Sequence, residues 1–170
     1  MRIALLVTTG LWRTALGAGS LLVALRSPAP AQIAGPAGPV AELRGDVVVG
    51  DRGVSQLAAG IQVPSGTYVR VAVIGGIGAA WQRGEAGRSA RLEAQARFHL
   101  DPWRESAIGG YGLGGLAATW DSFERWEPRL VLGAGVELPG ARGRGWAVEA
   151  ALAGGLRLSV MLRGALPDRR

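Results

Sequence analysis

From Arg91 to Leu100 the chain alternates without a break. Arg91, Glu93, Gln95, Arg97 and His99 share one parity, and Leu92, Ala94, Ala96, Phe98 and Leu100 share the other. A period of two is that of a pleated strand with two chemically opposite faces. Weaker copies of this pattern fill most of the chain, and they predict eight strands separated by turns rich in Gly, Pro, Asp and Ser. The predicted strands are Val40–Val49, Val54–Val63, Thr67–Trp81, Arg91–Leu100, Ser106–Trp120, Arg129–Leu138, Trp146–Ala153 and Leu156–Arg163. The stretches Gln82–Arg88 and Asp121–Pro128 read as a polar and a charged loop. In the fifth strand Tyr111 and Leu113 share one parity while Leu116, Ala118 and Trp120 share the other. A bulge at Gly114-Gly115 would reconcile them. No segment carries a helical period.

Across the eight strands one face is apolar and the other charged. The charged face comprises Glu42, Arg44, Asp46, Arg70, Arg91, Glu93, Arg97, Glu137, Glu149, Arg157 and Arg163. A soluble sandwich would turn this face to water; a membrane barrel would enclose it and turn the apolar face to lipid. The strand lengths suit a tilted crossing of about 9–11 residues. The charged face also carries many Gly and Ala beside the long Arg side chains, which suits a narrow lumen. Trp81, Trp120 and Trp126 cluster at one set of strand ends, and Trp103 and Trp146 at the other. Two such belts match the interfacial aromatic girdles of membrane barrels. The fold class expected is therefore an all-β, eight-stranded antiparallel up-and-down transmembrane barrel.

The first residues add a compartment. Arg2 and Arg13 precede the apolar run Ala15–Leu25, and Ala29-Pro30-Ala31 has the small-x-small form of a cleavage site. Residues 1–31 are thus expected to be a cleaved signal peptide, 32–39 a linker, 40–166 the barrel and 167–170 a tail. The apolar run is too short for a spanning helix, which needs about 20 residues.

Charge refines the picture only by exclusion. The formal charge is +6, with 19 basic residues that are all Arg. They are scattered among acids without the clustered stripe that nucleic acid requires, so no nucleic-acid partner is expected. Cysteine is absent, which removes disulfides, thiolate metal sites and cysteine nucleophiles. Gly110-Tyr-Gly-Leu-Gly-Gly115 contains G-x-G-x-x-G but no helix follows it, so no dinucleotide site is read there. No spacing suggests a metal site, and no cofactor is expected.

On these patterns, from about Val40 to Leu162, the chain resembles the small outer-membrane barrels of the OmpA/OmpX/opacity-protein type. The resemblance implies an integral protein of a Gram-negative outer membrane, with outer-membrane lipid and the barrel-insertion machinery as partners. It also implies a periplasmic N-terminus, which puts Trp81, Trp120 and Trp126 at the outer rim. Barrels of this type commonly end on an aromatic residue, whereas this sequence ends Leu166-Pro-Asp-Arg-Arg. Some related barrels modify lipid with His, Ser and an acid at the outer rim. Here the sole histidine, His99, falls at the inner end of the fourth strand, near Asp101 but near no suitable serine. The expected function is non-enzymatic: a charge-filled barrel with a structural, envelope-maintenance or minor porin-like role. The competing reading is a soluble periplasmic lipocalin-like or sandwich domain that binds an apolar ligand.

Overall fold

A computed structural model describes residues 38–103, 108–140 and 144–166. The expected signal peptide, the tail and nearly all of the linker lie outside these residues. Eight strands follow one another: β1 (Val40–Val49), β2 (Gly53–Pro64), β3 (Val69–Gln82), β4 (Glu85–His99), β5 (Gly109–Asp121), β6 (Glu127–Pro139), β7 (Arg144–Leu152) and β8 (Leu156–Ala165). Each pairs antiparallel with the next, and β1 pairs with β8. The result is a closed eight-stranded up-and-down barrel, which leaves no unpaired sheet edge.

The alternation maps onto inside and outside as expected. Along β4 the inward side chains from Ser89 to His99 are buried at every second position, while the intervening ones, such as Leu92 and Phe98, are exposed. The apolar side chains ring the exterior: Leu57 is 70% exposed and Ile77 73%. In a water-soluble protein these residues would form the core.

Three expectations are corrected. Gln82–Arg88 is not a loop, because β3 runs to Gln82 and β4 starts at Glu85. The chain reverses through Arg83 and Gly84 alone, with φ of 51° and 90°, the left-handed backbone that a tight two-residue hairpin demands. Similarly, Asp121, Glu127 and Pro128 belong to strands, which shortens the charged loop to 122–126. Nor does β5 bulge. Its register with β4 and β6 is continuous through Gly114-Gly115. Tyr111, Leu113 and Ala117 simply point into the lumen, where they pack with Val131 and Ala151. A second apolar lumen cluster joins Ala58, Ala72 and Ile74.

Tyr111 fits because its cross-strand neighbour is Gly135. A Cβ at Gly135 would run into the phenol ring. A methyl group at the outward-facing Gly112, four residues before Leu116 on the same face of β5, would meet nothing within 4 Å. Gly135→Ala is therefore expected to lower unfolding stability by about 1–3 kcal/mol, the usual cost of overpacking. Gly112→Ala should leave stability nearly unchanged. Urea unfolding of the two variants checks the parity: a bulged β5 would not give this order.

Candidate functional site: the enclosed ion-pair network

Among the described residues, five Arg and five carboxylates are buried in the lumen: Arg44, Arg91, Arg97, Arg157 and Arg163 with Glu42, Asp46, Glu93, Glu137 and Glu149. The set is electrically balanced. Of the charged residues expected to face inward, only Arg70, at the end of the barrel that holds the chain termini, is merely half-buried. Neutral polar residues Gln56, Gln62, Ser89, Gln95, His99 and Ser159 complete the buried polar set.

The charges alternate along the barrel axis. At the end that holds the chain termini, Arg163 bonds Glu137, and His99 lies 3.9 Å from the same carboxylate. Arg163 also donates to the Tyr111 hydroxyl at 3.1 Å and lies 3.5 Å from Glu42. Arg97 grips Glu42 with both Nη atoms, at 2.5 and 3.0 Å, and donates to Gln62 at 2.7 Å. This fork-to-fork pairing is the strongest geometry open to a guanidinium. The Gln95 amide fits best when turned to donate to Glu93 at 2.8 Å and accept from Arg97 Nε at 2.7 Å.

Glu149 is the hub. Its Oε1 accepts from Arg44 and from Arg157, each at 3.0 Å, while its Oε2 accepts from the Tyr111 hydroxyl at 3.2 Å. Towards the opposite end, Arg157 grips Glu93 at 2.6 and 3.2 Å, and Arg44 donates to Asp46 at 2.9 Å. Arg91 closes the series on Asp46 and, at 3.2 Å, on Glu93. Tyr111 serves twice, since its ring also lies under Arg163 and Arg97 at 5.2 and 5.8 Å, within cation–π range. Tyr111 and Gln62 were absent from the sequence-derived set. Tyr111 was hidden by the bulge reading. Gln62 is uncharged, and nothing in the sequence marks it as a partner of Arg97.

A second, smaller set of charges crosses the far mouth. Arg52, in the turn between β1 and β2, donates to Asp121 at 2.9 Å and also bonds Glu124. Partial burial works against the charge of Arg52. The hydrogen bond to Glu124 and the fields of Asp121, Glu124 and Glu127 outweigh it, so its pKa lies above the ordinary value. Conversely, the hydrogen bond from Arg52 holds the exposed Glu124 below its usual 4.5.

The exterior carries the aromatic residues at both ends. Trp81 and Trp126 are exposed and Trp120 half-buried at the latched mouth; Trp103 and Trp146 are exposed at the other end. Tyr68 and Phe98 add a stacked pair at that second end, with centroids 5.6 Å apart. Among the described residues, no group of three or more His, Asp or Glu is placed to hold a metal ion.

The fold can be set beside known structures at this point. The chain is similar to the crystal structure of Neisserial surface protein A, with 13% identity and a TM-score of 0.55, covering 75% of this chain and 96% of that one. It is also similar to the solution structure of the de novo designed TMB2.3, with 14% identity and a TM-score of 0.52, covering 79% and 98%. The chain shares its fold with transmembrane β-barrels. No protein-family model matches it, and no curated protein does.

Two outcomes follow from this geometry. Removing one member of a buried pair strands the other, at a cost of about 3–5 kcal/mol. Glu149→Ala and Arg157→Ala should each destabilise the barrel on this scale in urea unfolding, and the double variant should cost clearly less than their sum. At the mouth, the depressed pKa of Glu124 means that its pairing with Arg52 is in full force above the ordinary 4.5 and fades as pH falls through the lowered folded-state value. A carbon-detected NMR titration should show the Glu124 pKa returning towards 4.5 in Arg52→Gln.

Proposed function

We propose that this chain is an integral outer-membrane barrel that works as a sealed envelope element, neither a catalyst nor an open pore. The observation that carries the reading is the inversion of polarity: paired charges inside, and exposed Leu, Ile, Val and Phe around the outside. Contiguous apolar surface on this scale marks contact with lipid or a partner rather than with water. The aromatic residues at both ends fall where membrane interfaces favour them. The strands, of 9 to 15 residues, are long enough for an apolar band roughly 25 Å tall. The expected likeness to OmpA, OmpX and opacity proteins belongs to this reading, with the chain termini on the periplasmic side and the Arg52 mouth outside.

The balanced ion-pair plug supports a structural rather than a porin-like role, since its members pair with one another across the lumen. It also disfavours the soluble alternative, because a lipocalin-like protein needs an apolar cavity where this barrel holds guanidinium groups. Lipid chemistry at His99 is disfavoured as well: its ring stacks on Tyr111 at 5.4 Å and faces Glu137 in the plug.

Expression in a Gram-negative host tests the reading. The protein is expected in the detergent-extracted outer-membrane fraction, with a gel mobility that shifts on boiling. In planar bilayers it should give no steady porin-like conductance. Recovery in the soluble fraction without a mobility shift would overturn membrane placement, and steady conductance would overturn the sealed lumen.

A further inference from the structure

Above the ion-pair plug, the mouth crossed by Arg52 encloses a cavity of about 110 Å³. Its charged and donor lining includes Asp51, Arg52, Ser89, Arg91, Asp121 and Arg129, three cations against two carboxylates. The hydrogen-bonding capacity of these groups is lopsided. Asp121 is mostly occupied, because Oδ1 takes the backbone N–H groups of Phe123 and Glu124 while Oδ2 takes Arg52. Arg91, by contrast, uses Nη2 on Asp46 and turns Nε towards Glu93, and no hydrogen bond occupies Nη1. The Ser89 oxygen accepts from Gln56 Nε2 at 3.1 Å, so its own proton is left to donate. Ser89 and Arg91 are 4% and 5% exposed, so both donors sit on the floor of the cavity rather than on an open surface.

The latch adds a lid. Arg52 extends from the β1–β2 turn, and its partners Asp121 and Glu124 lie at the end of β5 and just beyond. In a ring of eight strands β1 and β5 face each other, so these bonds span the mouth. The cavity is closed below by the plug, walled by β-sheet and strapped above.

We propose that this vestibule is a binding site for a small free oxyanion of the phosphate or carboxylate class, held by Arg91 Nη1 and the Ser89 hydroxyl and enclosed by the Arg52 strap. Unused donors at the floor, one of them charged, in a lining with three Arg and two Asp, favour an acceptor-rich anion over a cation. The volume admits one small oxyanion or a few waters and excludes a lipid chain. The site belongs to the lumen, so it stands whether the exterior meets lipid or water.

Inorganic phosphate is the probe, titrated into the ¹⁵N-labelled full barrel in zwitterionic detergent micelles at ionic strength held constant with sodium chloride. The Arg91 Nε–H signal and the amides of Ser89 and Gln56 are expected to shift together and saturate. Ser89→Ala should weaken binding about tenfold, the worth of one charge-assisted hydrogen bond. Arg52→Gln should keep the same shifts and speed ligand exchange. If Ser89→Ala does not fold, Arg91→Lys, which keeps the charge but loses Nη1, should weaken binding instead. Shifts that never saturate, that fall on the exposed Arg83, Arg88 and Arg125, or that survive the floor variants unchanged would overturn the site.

Discussion

A charge held inside a narrow protein lumen must find an opposite charge there, and the rest of this barrel is arranged around that requirement. Leaving a carboxylate or guanidinium unpaired in such a place costs several kcal/mol, even after relaxation. The lumen answers with five cations against five anions, linked so that most members touch two partners. Glu149 joins Arg44 from β1, Tyr111 from β5 and Arg157 from β8. Its neighbours in turn reach Glu42 and Asp46 on β1 and Glu93 on β4. One electrostatic unit thereby also ties together strands that do not pair, such as β1 with β5 and β4 with β8.

The same pairing fixes the register of the sheet. A slip of one residue turns every side chain of a strand to the opposite face. In β1 such a slip would push Glu42, Arg44 and Asp46 outward and take from Arg97 and Arg91 their carboxylate partners on β1. The seam that closes the barrel is secured in this way. Glu42 stands opposite Arg163 and Asp46 opposite Ser159 across β1 and β8, while Arg44 reaches Ser159 at 2.8 Å. Apolar exteriors alone specify register weakly, because Leu, Val and Ile in contact with lipid are nearly interchangeable. The specificity resides in the interior.

This division explains what the sequence made legible. A charged residue in an alternating strand has only one face it can occupy if the other is apolar, so the direction of Arg91, Glu93 and Arg97 could be read from three letters. Apolar residues carry no such restriction. Leu113, Val131 and Ile74 are as acceptable inside a barrel as outside it, and only their neighbours decide. Tyr111 points inward because Gly135 opposite makes room and because Arg163 and Glu149 satisfy its hydroxyl. Neither fact is local in sequence, which is why a parity conflict in β5 read as a bulge. The turn at Arg83-Gly84 escaped for the opposite reason. Seven residues, four of them polar, read as a loop, although Arg83 and Gly84 in left-handed backbone suffice to reverse the chain. The partners of each charge were beyond sequence reasoning, since pairs such as Arg97 with Glu42 lie 55 residues apart.

The interlocking also bears on whether such a lumen could conduct. An ion path would require at least one hub contact to open with no replacement partner in reach. At about 3–5 kcal/mol for each stranded charge, and a factor of ten for every 1.4 kcal/mol, the open arrangement is populated at roughly one part in 10² to 10⁴. Swapping partners would lower that cost, but a swap needs a spare group of the right sign. The buried set is balanced, and Glu149 already holds three donors. At the latched end, Arg91 Nη1 makes no hydrogen bond within the lumen, so it can be met by a solute without disturbing any pair. The geometry therefore separates two properties that a wider barrel would combine: the middle of the lumen is committed to holding the sheet in register, and only its latched end is free to take a ligand.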